Sequence, residues 1–244
     1  MHISLAAERL FTIWGIPVTN TLTAEFVVIV MLGLVAFFVG RNPSLIPSKI
    51  QNFFEMIIDF ALGYMENVFG SRKMAKQYFP LIATIFLFIA ASNLFDFIPF
   101  VGSIGIWNHG ELVPLLRPVN TDLNVTLALA IIAVISIEVA GILALGFFKY
   151  MSKFFTLSSP LNFTVGLIEF VSEMSRFVSF SFRLFGNIFA GEVLLAVVAY
   201  FVPYILPVPL MAFETFIGVV QAAVFAMLTL FFIKLAVVKP HGAH

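Results

Sequence analysis

The sequence predicts an all-α polytopic membrane protein: five transmembrane helices plus one amphipathic helix at the membrane surface, with the last two spans forming a long, steeply tilted hairpin. Of its 244 residues, 61% are hydrophobic and 11% are charged, whereas soluble domains are nearer half apolar and a quarter charged. Apolar stretches long enough to cross a ~30 Å hydrocarbon core recur along the chain. We therefore treat residues 1–244 as a single membrane domain.

The first two elements differ in polarity. Residues 1–23 carry Glu8 and Arg9 and lack the basic start of a cleaved signal peptide, so we expect an N-terminal segment outside the membrane. Residues 24–40 are almost entirely apolar and form the first span.

Residues 50–70 have a different pattern. Gln51, Glu55, Asp59 and Glu66 recur at intervals of 4, 4 and 7 residues, which makes a polar stripe on an otherwise apolar helix. Such a helix lies along the membrane surface or packs against other helices.

The middle of the chain contains two further spans. Residues 79–100 form the second span, and residues 101–122 form a polar outer loop with Gly and Pro at its turns. Residues 123–148 form the third span, for which either Thr121 or Asp122 is the expected N-cap.

The last third contains two overlong helices. Residues 161–202 contain no proline, and as one helix they measure roughly 63 Å, about twice the hydrocarbon thickness. Such a helix is either steeply tilted or broken near Gly186 or Gly191. We favour a tilted helix that packs antiparallel to the final helix, residues 205–238.

Basic residues predict the orientation, because cytoplasmic loops are enriched in Lys and Arg. Arg9 and Arg117 lie on one side of the predicted spans. The opposite side carries Arg41, Lys49, Arg72, Lys73, Lys76, Lys149, Lys153, Lys234 and Lys239. We expect the N-terminus outside and the C-terminus in the cytoplasm.

Several polar side chains lie within the apolar sequence of the last two helices. They are Glu169, Glu173, Arg176, Arg183, Glu192, Glu214 and Gln221. An arginine at the centre of a span costs about 2.5 to 3.5 kcal/mol on insertion scales, so such a residue usually faces a cavity or a partner.

Helical geometry predicts what the Arg183 face contains. At about 100° per residue, Ser179, Arg183 and Asn187 share one face. Gly186 and Ala190 lie close to that face, and small residues permit close approach of another helix. We therefore expect Arg183 to face a helix of another protein.

The acidic residues Glu192 and Glu214 do not lie on the Arg183 face. Glu192 points roughly away from Arg183 and lies ~13 Å along the axis, so the two cannot pair on a straight helix. Glu214 and Gln221 are seven residues apart and share a face of the final helix. A polar pathway through Glu192, Glu214 and Gln221 would run beside Arg183.

Other charged and titratable residues keep alternative interpretations. Arg176 and Glu173 also fit interfacial residues that extend to lipid headgroups, and Glu138 fits either a buried protonated acid or a transport group. The histidines lie in the termini and the outer loop without metal-ligand spacing: His2, His109, His241 and His244. The chain has no cysteine, so thiolate metal sites are excluded, and we expect neither a metal nor a cofactor.

Four motifs occur in a defined order along the chain. They are NLFDFIP at 93–99, DLNVTLALA at 122–130, RLFGNIFAGE at 183–192 and QAAVFAMLT at 221–229. Together they resemble the subunit a family of bacterial-type rotary F-type ATP synthases, and the resemblance covers nearly the whole chain.

The resemblance implies an ion-translocating, non-catalytic subunit. In that family the arginine that matches Arg183 faces the carboxylates of the rotor c ring, between two offset aqueous half-channels, and ions cross by riding the ring. The implied partners are c-ring subunits, the peripheral stalk subunit b, a translocated proton or sodium ion and the lipid bilayer, with no nucleic acid. The implied location is the bacterial cytoplasmic (inner) membrane.

The resemblance also assigns polar residues to the half-channels. The outer half-channel receives Asn187, Glu192, Glu214, Gln221, Asp96 and Asp122, and the inner one receives Glu169, Glu173 and Ser179. Some relatives have histidine where this chain has Glu214, so the outer channel here is expected to be rich in carboxylates. Phe177 replaces a proline that is common in the family, so the sequence does not decide whether the helix bends there.

Two other function classes are compatible with the residues alone. An ion-coupled secondary transporter also uses intramembrane Arg and Glu, although the internal repeats expected of many transporters are not evident. A non-conducting assembly protein would use the charges structurally. The sequence lacks the Gly-rich Lys-Ser/Thr loop that binds nucleotides, so we expect ATP chemistry on other subunits.

Overall fold

The computed structural model describes residues 7–13, 15–41, 49–98, 101, 104–108, 111–152 and 160–237. The helices in these ranges are α1 (Asn20–Gly40), α2 (Lys49–Phe69), α3 (Arg72–Phe95), α4 (Leu123–Leu145), α5 (Phe147–Met151), α6 (Pro160–Phe201) and α7 (Pro207–Val237). Five of them, α1, α3, α4, α6 and α7, are long and apolar enough to cross a membrane. The predicted all-α fold with five spans and the amphipathic α2 is therefore confirmed.

The segments before α1 and between α3 and α4 contain two short β-hairpins that the sequence did not predict. Strand β1 (Arg9–Ile13) pairs antiparallel with β2 (Ile16–Thr19), and β3 (Gly105–Asn108) pairs with β4 (Glu111–Pro114). Gly15 allows the first turn because its φ of 83° lies in the left-handed region. Strands of four or five residues show too little alternation to stand out from a loop.

Helix α1 begins four residues before the predicted start at residue 24 because a cap precedes it. The hydroxyl of Thr19 accepts a hydrogen bond from the backbone N–H of Leu22 at 3.3 Å, which satisfies one of the free donors of the first turn. The helix packs mainly against α3 and leaves most of its other apolar side chains exposed, as expected for a lipid-facing span.

Helix α3 differs from the prediction at both ends. It begins at Arg72 rather than at residue 79, because the basic segment before the apolar run is also helical, and it ends at Phe95 rather than at residue 100. Pro80 lies inside the helix, where the hydroxyl of Thr84 donates to the Pro80 carbonyl at 2.7 Å.

Helix α4 ends at Leu145 rather than at residue 148, and Gly146 explains the difference. Gly146 has a φ of 84°, a conformation that ends helices and favours glycine. The short helix α5 follows directly. Asp122 is the N-cap of α4, since its carboxylate accepts from the Asn124 amide at 2.9 Å.

The core forms where α3, α4, α6 and α7 meet. Helix α3 packs on α7, while α4 packs on both α6 and α7. Phe180 of α6 and Phe225 of α7 are fully enclosed, with ring centroids 4.8 Å apart in an edge-on arrangement. Ile89 and Leu184 complete this contact as buried residues of α3 and α6.

Helix α6 is one continuous helix of 42 residues. The predicted alternative, a break near Gly186 or Gly191, is therefore not adopted. A short turn over residues 202–206 leads into α7, which packs against α6 as the second half of the hairpin. The opposite face of α6 remains largely exposed.

Candidate functional site

Arg183 lies on the exposed side of α6. Its Nη2 donates a hydrogen bond to the hydroxyl of Ser179 at 3.1 Å, one turn earlier. Within the described ranges no carboxylate lies within ion-pair distance of Arg183. The guanidinium therefore has a neutral partner and no counterion from this part of the chain.

Arg176, two turns earlier on the same helix, is in the opposite situation. Its Nη2 lies 3.9 Å from Glu169 Oε1, and its Nη1 lies 3.8 Å from Glu173 Oε1. The guanidinium also lies over the Phe232 ring of α7, 4.5 Å from the centroid. Only 21% of the Arg176 side chain is exposed, so it points toward α7 and pairs inside the chain rather than extending outward.

The two arginines line one groove between α6 and α7, here called the Arg183 groove. It has a volume of ≈ 340 Å³ and is lined by Ser172, Ser175, Arg176, Ser179, Phe180, Arg183, Leu228 and Phe232. The serines repeat at spacings of three and four residues, so they form one polar row along α6. The groove thus joins the ion-paired arginine to the unpaired one.

Beyond Arg183, a polar contact links α6 to α7. Asn187 Nδ2 donates to Gln221 Oε1 at 2.9 Å. Gln221 is 5% exposed, so this contact lies between the two helices. Asn187 is one turn from Arg183 and two turns from Ser179, as the predicted shared face requires.

Three predicted carboxyl groups lie close enough to interact electrostatically. Glu192 of α6 acts on both Asp96, just after α3, and Glu214 of α7. Burial, followed by the charge of Glu192, raises the pKa of Asp96 well above its ordinary value, and the Val119 amide offsets part of this. Glu192 Oε2 and Glu214 Oε1 are buried without a hydrogen-bond partner among the described residues.

Gly191 determines how closely Glu214 approaches α6. A Cβ atom built on Gly191 would lie 2.8 Å from Glu214 Cδ and would overlap the carboxylate. The missing side chain therefore opens the space that Glu214 occupies, next to Glu192.

Arg117 is a member of this group that the sequence does not predict. Arg117 is only 8% exposed, and its charge acts on Glu192. The sequence predicts that Arg117 lies in the outer loop because its neighbours are loop residues, and no local pattern indicates that its charge acts on a helix residue 75 positions later.

Asp122 has a structural role in this arrangement. Its Oδ1 accepts from both the backbone N–H and the side-chain amide of Asn124, at 2.9 Å each. Its charge acts on Glu25 of α1, so Asp122 faces α1 as well as capping α4.

A buried amide network near Asp96 was also missed. Asn93 Nδ2 donates to the Gly218 carbonyl at 2.8 Å, and Asn120 Nδ2 donates to Asn93 Oδ1 at 2.6 Å. A Cβ on Gly218 would lie 2.9 Å from the Asn93 Cβ. The network joins α3 and α7 to the 3₁₀ turn Val119–Thr121. In the sequence, Asn93 is the first residue of the NLFDFIP motif, which is the pattern that could have indicated it.

Gly186 and Ala190 lie on a face of α6 that the described residues leave open. A Cβ atom on Gly186 would meet nothing within 4 Å, and Ala190 is exposed. The structure therefore leaves room there, while close approach of a partner helix stays a prediction.

No group of three or more His, Cys, Asp or Glu among the described residues could hold a metal ion. The four histidines, and the basic residues Lys153 and Lys239 used for the orientation, lie outside the described residues.

Comparison with known proteins gives consistent matches. A model of the family described as "ATP synthase A chain" matches residues 21–234. The chain is 33% identical to ATP synthase subunit a of Moorella thermoacetica over 225 residues, which are 92% of this chain and 94% of the relative. It is 35% identical over 236 residues to a protein of Propionigenium modestum named "ATP synthase subunit a, sodium ion specific", covering 96% of this chain and 80% of the relative. It is 37% identical to ATP synthase subunit a of Campylobacter jejuni over 212 residues, 86% of each chain. By its motifs, its five spans and these matches, the chain belongs to the ATP synthase subunit a family.

Proposed function

We propose that this chain is the ion-translocating subunit of the ATP synthase membrane sector. In this proposal it presents two offset half-channels to the carboxylates of the rotor c ring, and Arg183 separates them. Proton or sodium flow then turns the ring and drives ATP synthesis on other subunits. The observation that carries the proposal is the contrast between the two arginines of one groove, since Arg176 has two carboxylate partners and Arg183 has none among the described residues.

The chemistry of arginine fits this role. A guanidinium stays protonated even in a low-dielectric site, and an unpaired charge at a span centre costs about 2.5 to 3.5 kcal/mol or more. A carboxylate on a neighbouring subunit would compensate that cost. Because a nearby cation favours the ionised form of a carboxylate, Arg183 would promote release of the ion that the rotor carries.

The spacing of polar groups along α6 supports two separate access paths. Glu173 is ten residues before Arg183 and Glu192 is nine residues after it, which corresponds to about 15 Å and 13 Å along the helix. These gaps are too long for a direct ion transfer, and the fixed charge of Arg183 repels a cation between them. A moving carrier on the rotor would bridge the two paths.

The proposal assigns residues to each path. The inner path contains Glu169, Glu173 and the serine row that ends at Ser179. The outer path contains Asp96, Glu192, Glu214, Asn187 and Gln221, with Asp122 at its outer end. Gly186 and Ala190 form the close-approach face toward the rotor.

The setting is part of the same proposal. The chain is non-catalytic and multi-pass, and it lies in a bacterial cytoplasmic membrane with its N-terminus outside and its C-terminus in the cytoplasm. Its partners are the c-ring subunits and the peripheral stalk subunit b. The apolar side chains that α1 and α2 expose would contact lipid and the stalk.

A pumping assay tests the proposal. Inverted membrane vesicles carrying the whole complex are given ATP, with and without sodium, and internal acidification and ATP hydrolysis are recorded together. Arg183→Ala should abolish pumping while the c ring still co-purifies. Arg72→Ala is the matched control, because it removes an arginine from an exposed pair with Glu66 and should pump like the wild type.

Each outcome has a defined meaning. Sodium dependence of the wild type would identify the transported ion. Undiminished pumping by Arg183→Ala would refute the role of Arg183. Purification without a c ring would instead favour the alternative, an ion-coupled secondary transporter.

A further inference from the structure

A buried tyrosine and a half-buried glutamate beside the Arg183 groove belong to neither proposed half-channel. Tyr150 of α5 is 1% exposed, and its hydroxyl hydrogen-bonds to Glu138 of α4. A Cβ on Gly141 would lie 2.9 Å from the Tyr150 Cζ. Because Glu138 and Gly141 are one turn apart on α4, the glycine opens the space through which the phenol reaches the carboxyl group.

The same tyrosine connects this pair to the groove. Tyr150 interacts electrostatically with Glu173 and Arg176 of α6. Glu173 is 8% exposed and lies 3.8 Å from the guanidinium of Arg176, and Arg176 lines the groove. Glu169 lies 3.9 Å from the same guanidinium, so Tyr150 lies between Glu138 of α4 and the acidic residues of α6 that pair with Arg176.

We propose that Glu138 is a further ion-attracting carboxylate of the inner half-channel and that Tyr150 is the positioning residue that holds it toward Glu173. This inference rests on the proposed function of the chain. Burial, followed by the hydrogen bond to Glu138, raises the pKa of the Tyr150 hydroxyl, so the phenol stays protonated and donates to the carboxylate.

The surroundings of Glu138 define what its charge acts on. Among the described residues, those with interactions that connect Glu138 to the groove are Tyr150 from α5 and Glu169, Glu173 and Arg176 from α6. Helix α7 contributes the Phe232 ring against Arg176. A negative charge on Glu138 therefore adds to the local field that attracts a cation toward this part of α6.

The predicted effect is a change in ion affinity at an unchanged maximal rate. Loss of one negative charge lowers the local concentration of a cation at the entrance of the path. The half-saturating concentration of the transported ion should therefore rise about three- to tenfold. A loss of packing would instead lower the maximal rate or the amount of complex at every ion concentration.

The test uses inverted vesicles with the whole complex, in which the cytoplasmic face meets the buffer. The initial rate of ATP-driven uptake is measured against buffer proton concentration, or against sodium concentration if sodium is the ion. The variants are Glu138→Gln, Glu138→Asp, Tyr150→Phe and the double variant Glu138→Gln/Tyr150→Phe, with Arg183→Ala in parallel. Tyr150→Phe keeps the ring in place and removes only the hydroxyl.

We expect Glu138→Gln and Tyr150→Phe each to raise the half-saturating concentration, Glu138→Asp to restore it, and the double variant to match Glu138→Gln. If Arg183→Ala abolishes pumping and neither Glu138→Gln nor Tyr150→Phe changes the half-saturating concentration, this inference is overturned and the proposed function stands. If Arg183→Ala pumps normally, the proposed function fails and this inference fails with it. If Glu138→Gln does not assemble, Tyr150→Phe alone decides between the first two results.

Discussion

Two glycines on α6 should respond differently to the same substitution. A Cβ on Gly191 would overlap the Glu214 carboxylate, 2.8 Å from its Cδ, whereas a Cβ on Gly186 would meet nothing within 4 Å. Both positions lie inside a continuous helix, so Gly→Ala gains about 1 kcal/mol of helix propensity at each. Gly186→Ala is therefore a matched control for Gly191→Ala.

The magnitudes follow from the overlap. Overpacking costs about 1 to 3 kcal/mol, so Gly191→Ala should have a net cost of roughly 0 to 2 kcal/mol after the gain in helix propensity. Gly186→Ala should stabilise the isolated chain by about 1 kcal/mol. For a chain of this length 1 kcal/mol corresponds to about 2 to 4 °C in Tm, so the two variants should differ by roughly 2 to 12 °C.

A double-mutant cycle isolates the contact. The apparent Tm of the purified chain in detergent is measured for Gly191→Ala in the wild-type background and in Glu214→Ala, where the carboxylate is gone. In the second background Gly191→Ala should stabilise the chain as Gly186→Ala does, which gives a coupling of about 1 to 3 kcal/mol. An identical change in Tm in both backgrounds would refute the predicted overlap.

Other substitutions test the remaining features. Gly186→Ala should slow ATP-driven pumping by the whole complex although it does not destabilise the isolated chain, because its methyl group lies on the proposed close-approach face; a wild-type pumping rate would contradict this. Arg176→Met removes the guanidinium that pairs with Glu169 and Glu173 and should lower the free energy of unfolding by about 1 to 3 kcal/mol, as expected for a partly exposed network. The loss should exceed that of Glu173→Gln, and equal losses in a chemical denaturation series would argue against the pairing. Asp96→Asn should stabilise the chain increasingly as the pH rises from the ordinary pKa of aspartate toward the raised pKa of buried Asp96. Over that range the unfolded chain loses the carboxyl proton while the folded chain holds it, so the stability of the wild type falls with pH. A pH-independent difference in Tm would be inconsistent with that. Asn93→Ala leaves a buried carbonyl of α7 without its donor and should cost about 1 to 3 kcal/mol, and an unchanged Tm would rule the network out as a source of stability.

The positions of the helices were predictable because apolar runs and helix-capping residues are local properties of the sequence. The span of α4 began where Asp122 caps it, and the isolation of Arg183 from Glu192 followed from helical geometry alone. The predicted start of α3 was wrong because Arg72 and the basic residues after it are polar yet helical. Hydropathy locates the start of the apolar run and not the start of the helix.

The contacts between helices were less predictable. Tyr150 was not selected from the sequence because its partner Glu138 lies on another helix, and a glycine at position 141 has meaning only once the two helices are seen together. Arg117 was not predicted for the same reason, since the effect of its charge on Glu192 depends on how the segment before α4 folds back over the helices. Local patterns identify charged residues inside a membrane, but the fold decides which of them meet.

The unbroken length of α6 has a mechanical consequence. Glu169 and Glu192 lie on the same hydrogen-bonded rod, 23 residues apart, which places them about 35 Å from each other along its axis. A rigid rod transmits a shift or a rotation at one end to the other, so the two acidic ends and Arg183 between them keep a fixed mutual register. The helix thus fixes the separation of its two acidic ends, and in the proposed function this separation sets how far a rotor carboxylate must travel between them.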